Sequence, residues 1–234
     1  MSSSAGEDEM RSELPAGSVP PDRLVHLVRS SGGVHVHQPG IDWPTDRWVR
    51  RFPQHADLVR SLPNPLDRSA VRSVVSDQVV ADDVECAFVV AMIWGYGNVG
   101  YGPYRTERVL HSNPQAASCL RAALGPDPLV GYRWLSGDGR LRWLGPAFGT
   151  KWLYFASTPR ALILDRVVAA WLRSHAGCRW NAVPWSASTY QAYLMQMDAW
   201  AAALGLEPDL IEQLIFMDES ERTGSQRSPA RRAP

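Results

Sequence analysis

Between two polar tails, the apolar residues of this 234-residue chain recur at helical spacing, and the alternation of half-buried strands is scarce. That pattern predicts an all-α fold, a helical bundle rather than a sheet-based domain. Its strongest instance is residues 82–94, an apolar helix stopped by the glycines after Trp94. Within it, residues 86–94 carry no polar side chain, yet this is only about half of the ~20 residues that a membrane-spanning helix needs. The first residues, Met-Ser-Ser-Ser, lead into acids and not into an apolar signal core. The expectation is a cytoplasmic, nucleoid-associated protein with no membrane partner.

Further helices are predicted over 21–29 and 67–76. Another starts at 106–110 and continues through 114–124, with Gly125 as its stop. Ser188 is a candidate cap for a helix closed by Gly205, and Pro208 suits the first position of a last helix ending near Met217. Residues 34–37 read as a brief strand or extended loop. Residues 1–20 and 219–234 read as disordered tails, the second basic at its end. One helical domain, 21–218, is left between them. An apolar content of 45% is enough for a real core. Cys86, Cys119 and Cys178 are odd in number and widely spaced, so neither disulfides nor a zinc knuckle is expected. His35 and His37 share a strand face but have no third ligand nearby. No metal and no cofactor is expected.

Net charge is zero, which argues against nucleic-acid binding by a broad basic surface. It leaves open a grip on phosphates through backbone N–H groups. Of the 24 basic residues, 23 are arginine and one is lysine, Lys151. Arginine stays protonated at any usable pH. Lysine becomes a nucleophile when burial favours its neutral form. A chain that uses arginine for nearly every positive charge therefore makes its single lysine a candidate for chemistry.

Lys151 lies in Leu144-Gly145-Pro146-Ala147-Phe148-Gly149-Thr150-Lys151-Trp152-Leu153-Tyr154-Phe155. Two glycines and a proline make a tight turn near 144–156, and Gly149 is read as opening an apolar helix with Lys151 in its first turn. Such a turn presents N–H groups to a phosphate. Downstream, Asp165 is a lone acid after an apolar run and before Arg166. Taken alone it reads as a helix N-cap.

These residues resemble the helix-hairpin-helix DNA glycosylase superfamily, and the run Phe-Gly-Thr-Lys-Trp-Leu-Tyr-Phe-Ala with Leu-Ile-Leu-Asp-Arg looks most like actinobacterial proteins of the 8-oxoguanine DNA glycosylase fold. The likeness covers about 144–172, and more weakly the stretch around 94–108. Ala147 stands where the family has its first hairpin glycine, and Gly145 where it has the leucine before the proline. The resemblance implies double-stranded DNA with a damaged base as the partner, bound by a monomer. It implies a bifunctional glycosylase and lyase, with Lys151 as the nucleophile at the sugar C1′. Asp165 would then stabilise the cationic sugar. It places Gly145, Ala147, Gly149 and Thr150 against DNA.

Residues 93–105, Ile-Trp-Gly-Tyr-Gly-Asn-Val-Gly-Tyr-Gly-Pro-Tyr-Arg, hold too many glycines for a stable helix. A loop there would let Tyr101 and Tyr104 stack on bases, Asn98 fill the gap left by an extruded base, and Arg105 contact DNA. The alternative is a rigid loop packed on the domain. Trp94 and Trp185 are expected at the base pocket, with Trp180 near its mouth. Three other functions fit the same residues: a non-catalytic DNA-binding module, a glycosylase for a modified but undamaged base, and an unrelated helical Schiff-base enzyme.

Overall fold

The computed structural model describes residues 19–31, 38–178 and 184–224, and residues 34–37 and Trp180 lie outside them. The described residues form α-helices with no strand; Ile41 and Leu66 make an isolated antiparallel bridge. In order the helices are α1 (Asp22–Ser30), α2 (Thr45–Arg51), α3 (Ala56–Ser61), α4 (Arg68–Val80), α5 (Val84–Tyr96) and α6 (Gly102–His111). There follow α7 (Ala116–Ala122), α8 (Pro128–Ser136), α9 (Pro146–Ala156), α10 (Arg166–Ala176), α11 (Ala187–Leu204) and α12 (Pro208–Thr223). The expected all-α bundle is what forms.

Helix α5 is its axis. Every α5 residue except Glu85 and Gly95 is buried. A helix apolar on all sides must be enclosed, and α4, α6, α7 and α9 pack around it. Asp83 starts it by accepting the Cys86 N–H at 2.9 Å. A second group, α10, α11 and α12, packs together, with α1 on α12 and α8 bridging α9 to α11. No helix among the described residues is long and apolar enough to cross a membrane.

Several boundaries differ from the sequence reading. Helices α2, α3 and α8 were not expected. The first two bury one residue each, Trp48 and Val59, too few to show a period. Helix α8 did announce itself: Asp127 caps it and Pro128 is its first residue. Helix α6 starts at Gly102, before the expected 106. Ser186, rather than Ser188, caps α11 by accepting the Thr189 N–H at 3.1 Å. The last helix continues past Met217 to Thr223 because Asp218, Glu219 and Ser220 are buried. Asp218 ties its far end to Arg23 and accepts the Trp171 Nε1–H at 2.8 Å.

Candidate active site

Helix α9 begins at Pro146, three residues before the expected Gly149. Proline has no N–H to leave unsatisfied and its φ suits the first helical position. The Phe148 and Gly149 N–H groups both bond the Gly145 carbonyl, at 3.0 and 2.9 Å. Ala147 then holds the orphan N–H at this helix start. Lys151 accordingly sits in the second turn of α9, facing inward, 7% exposed.

Its partner is brought by the segment before α10. Residues 161–164, Ala-Leu-Ile-Leu, run extended through the core, each at most 1% exposed. Buried irregular backbone needs partners for its polar groups, and side chains supply them here. The Tyr190 hydroxyl donates to Leu162 O at 2.9 Å and takes the Leu162 N–H at 3.3 Å. The Tyr193 hydroxyl donates to Ile163 O at 2.8 Å. Thr150 Oγ1 accepts the Leu164 N–H at 3.2 Å and lies 2.9 Å from Ala147 O. Thr150, which the resemblance places against DNA, is fully buried in the free protein. It instead clamps α9 to the residue before Asp165.

That clamp sets the pair. Lys151 Nζ donates to Asp165 Oδ2 at 3.0 Å. The other oxygen, Oδ1, accepts the Val167 and Val168 N–H groups at 2.9 and 3.1 Å. Asp165 is thus both the N-cap of α10 and the counter-ion of the lysine. Burial raises the Asp165 carboxyl, but the Lys151 charge and the two backbone donors outweigh it and hold it below the ordinary carboxylate range. The lysine is not the solitary amine among apolar neighbours that its sequence suggests. Its nearest polar group is a carboxylate, and the Phe148 ring centroid is 5.5 Å away.

The pair opens on a small cavity walled also by Arg68, Trp94, Gly95 and Phe216. Its volume, about 80 Å³, is far under the ~300 Å³ at the low end of ligand pockets. A purine enters only if wall side chains move. Gly95 is helical, although residues 93–105 read as too glycine-rich for a stable helix. A Cβ there would stand 3.1 Å from Lys151 Cδ and 3.2 Å from Phe148. Gly102, also helical, makes room for Tyr96, 2.7 Å from where its Cβ would be. The breaking is left to residues 97–101, with Gly97 at φ +51°. On and beside this turn Asn98, Tyr101 and Tyr104 are exposed, as DNA contacts would have to be. Trp94 is in the cavity wall, and its Nε1 is buried with no partner among the described residues. Trp185 is not: it lines a separate cavity of about 910 Å³ together with Gly145, Arg105 and Arg142.

Arg68 was missed. It is one of 23 arginines, and nothing local distinguishes it. The fold gives it 8% exposure and a place over the rings of Trp94 and Tyr154, 5.1 and 5.0 Å from their centroids. It donates to both oxygens of the fully buried Glu212, at 2.5 and 3.2 Å, and to Gln38 at 2.7 Å. Burial pushes the Glu212 carboxyl up, to about 7, with Arg68 pulling against it. Tyr190 and Tyr193 were missed too, as they hold the segment before Asp165 without lining the cavity. Among the described residues, one group has metal-ligating atoms in reach of one another: His55, Asp83 and Cys86, within 4.8 Å. It lies at the start of α5, the end opposite Trp94 and Gly95. Burial pushes its thiol up to about 12, so Cys86 is a protonated, weak ligand.

Fold and site together define an all-helical protein with a buried lysine–carboxylate centre behind a turn-helix. The chain belongs to the family described as "Putative 8-oxoguanine DNA glycosylase OGG-like protein", whose model matches residues 34–216. No curated protein and no solved structure matches it.

Proposed function

We propose that the protein is a bifunctional DNA glycosylase that removes a damaged purine, 8-oxoguanine by its family, and then nicks the strand. The observation that carries this reading is the 3.0 Å Lys151–Asp165 pair facing a cavity walled by aromatic rings, in a member of this family. The duplex bends around a helix-hairpin-helix element formed by α8, residues 137–145 and α9, and the damaged base leaves the stack at a cost of a few kcal/mol. The orphan Ala147 N–H at the start of α9 faces a phosphate.

Lys151 Nζ, having given up a proton to solvent, attacks C1′ while the bond from C1′ to the base breaks. The base departs with the bonding electrons and takes up the proton that Nζ sheds once it is bonded to C1′. Asp165 stays ionised and stabilises the positive charge that develops on the sugar, an electrostatic role fixed in place by its two backbone donors. The sugar ring then opens to a Schiff base on Lys151. Loss of a C2′ proton expels the 3′ phosphate by β-elimination, and water releases the lysine. In the free protein the carboxylate neutralises the lysine, and an incoming sugar has to take Nζ from it.

Borohydride reduction during turnover on an 8-oxoguanine duplex tests this. A covalent protein–DNA product is expected, absent from Lys151→Gln. Trapping that persists in Lys151→Gln would sink the role given to the lysine.

A further inference from the structure

Zero net charge hides an uneven distribution. Helices α2 and α6 carry five arginines and only two acids, Asp46 and Glu107. Arg47, Arg50 and Arg51 line, with Gly100, Pro103 and Tyr104, a depression of about 490 Å³. All three residues are exposed. Arg51 has a carboxylate, Glu107 at 3.0 Å, and lies over Tyr104, 5.5 Å from the ring centroid. Arg47 and Arg50 have no ion pair among the described residues. The Arg47 guanidinium lies on the backbone of the 97–101 turn, with Nη1 2.6 Å from where a Gly100 Cβ would be.

Two connections give the cluster meaning. The 97–101 turn leaves α5 one residue after Trp94 and Gly95, which wall the Lys151–Asp165 cavity. In the other direction Tyr104 adjoins Arg105. Arg105 donates to Trp143 O at 3.3 Å, and Arg105 and Arg108 flank the Trp143 ring, 5.5 and 5.3 Å from its centroid. Trp143 is held at φ +74°, which a bulky residue rarely adopts. Arg105, Arg140 and Arg142 then line the cavity beside Gly145. Contact by contact, arginines extend from α2 across α6 to the start of α9.

Unpaired like charges gathered on one face repel one another, and a polyanion relieves this. Guanidinium groups pair with phosphates in a planar, two-pronged way. We propose that the α2–α6 cluster is a second phosphate-binding site, distinct from the turn at 144–146. It holds the phosphodiester backbone of duplex DNA through Arg47 and Arg50 while Lys151 works on the extruded nucleotide. The idea rests on the glycosylase reading for its ligand but not for its evidence.

The test is the salt dependence of binding by the full-length protein, measured by fluorescence anisotropy on matched damaged and undamaged duplexes. Each lost phosphate contact lowers the slope of log K against log salt by ~0.9. The Arg47→Gln/Arg50→Gln double variant should therefore have a slope shallower by about 2, equally on both duplexes. Arg29→Gln/Arg173→Gln, exposed arginines on α1 and α10, should leave the slope unchanged. A wild-type slope in the α2 variant, or an equal loss in the control, overturns the site. Lesion-independent binding without excision would refute the glycosylase reading and leave this site standing. Absence of duplex binding at low salt would overturn both.

Discussion

Asp165 holds two jobs that substitutions separate. Its Oδ1 caps α10 through the Val167 and Val168 N–H groups, and its Oδ2 pairs with Lys151. Asparagine caps as well as aspartate does, so Asp165→Asn keeps the cap and deletes the charge. That leaves the ammonium of Lys151, 7% exposed, without its counter-ion. Removing one partner of a buried pair costs about 3–5 kcal/mol, and the side-chain exposures of 8% and 14% put this pair near the lower figure. Asp165→Ala loses the cap as well, ~1 kcal/mol more. The double variant Lys151→Met/Asp165→Asn removes both charges and should recover most of the loss, since apolar replacement of a buried pair is often neutral or stabilising. Urea denaturation at pH 7 reads all four proteins, with stability taken from the midpoint and slope. Excision should fall by orders of magnitude in each variant, including the stable double one. If Asp165→Asn were as stable as the wild type, the ion pair would contribute nothing. If it also excised at the wild-type rate, Asp165 would be a helix cap alone.

Three other outcomes follow from the same geometry. Asp165 has a folded pKa below its unfolded value of ~3.9. The stability it confers is complete above that value and is lost as pH falls through the folded one. The gap in unfolding free energy between wild type and Asp165→Asn should stay constant from about pH 7 to 5 and shrink below about 4; a gap unchanged at lower pH would contradict this. Arg68→Met strands the fully buried Glu212 and should cost about 3–5 kcal/mol, with Arg68→Met/Glu212→Gln recovering most of it in thermal denaturation. No recovery would mean that Arg68 acts through its ring contacts and not its charge. Trp94→Phe keeps a ring in the cavity wall but deletes an Nε1–H that has no partner among the described residues. Stability should change little while KM for the damaged duplex rises; a loss above ~2 kcal/mol, the scale of a broken buried hydrogen bond, would show that this donor is satisfied.

The sequence by itself determined the class of fold and singled out Lys151 and Asp165. Helical periodicity is local, so α1, α4, α5, α10 and α12 were legible from the spacing of their apolar residues, and caps such as Asp83 and Asp165 act on N–H groups two or three residues away. Lys151 stood out because it is the only lysine. Local signals failed where structure depends on distant packing. Gly95 and Gly102 lie within helices, and a side chain at either would crowd Lys151 and Phe148, or Tyr96. Thr150, placed on DNA by its motif, is buried against Leu164. Only the tertiary structure joined Lys151 to Asp165, through an extended core segment held by hydroxyls from α11 and α9. It alone put Arg68 in the cavity and gathered the arginines of α2 and α6 on one face. Charge adds up along a chain without regard to position, but a field at a surface depends on where folding puts each charge.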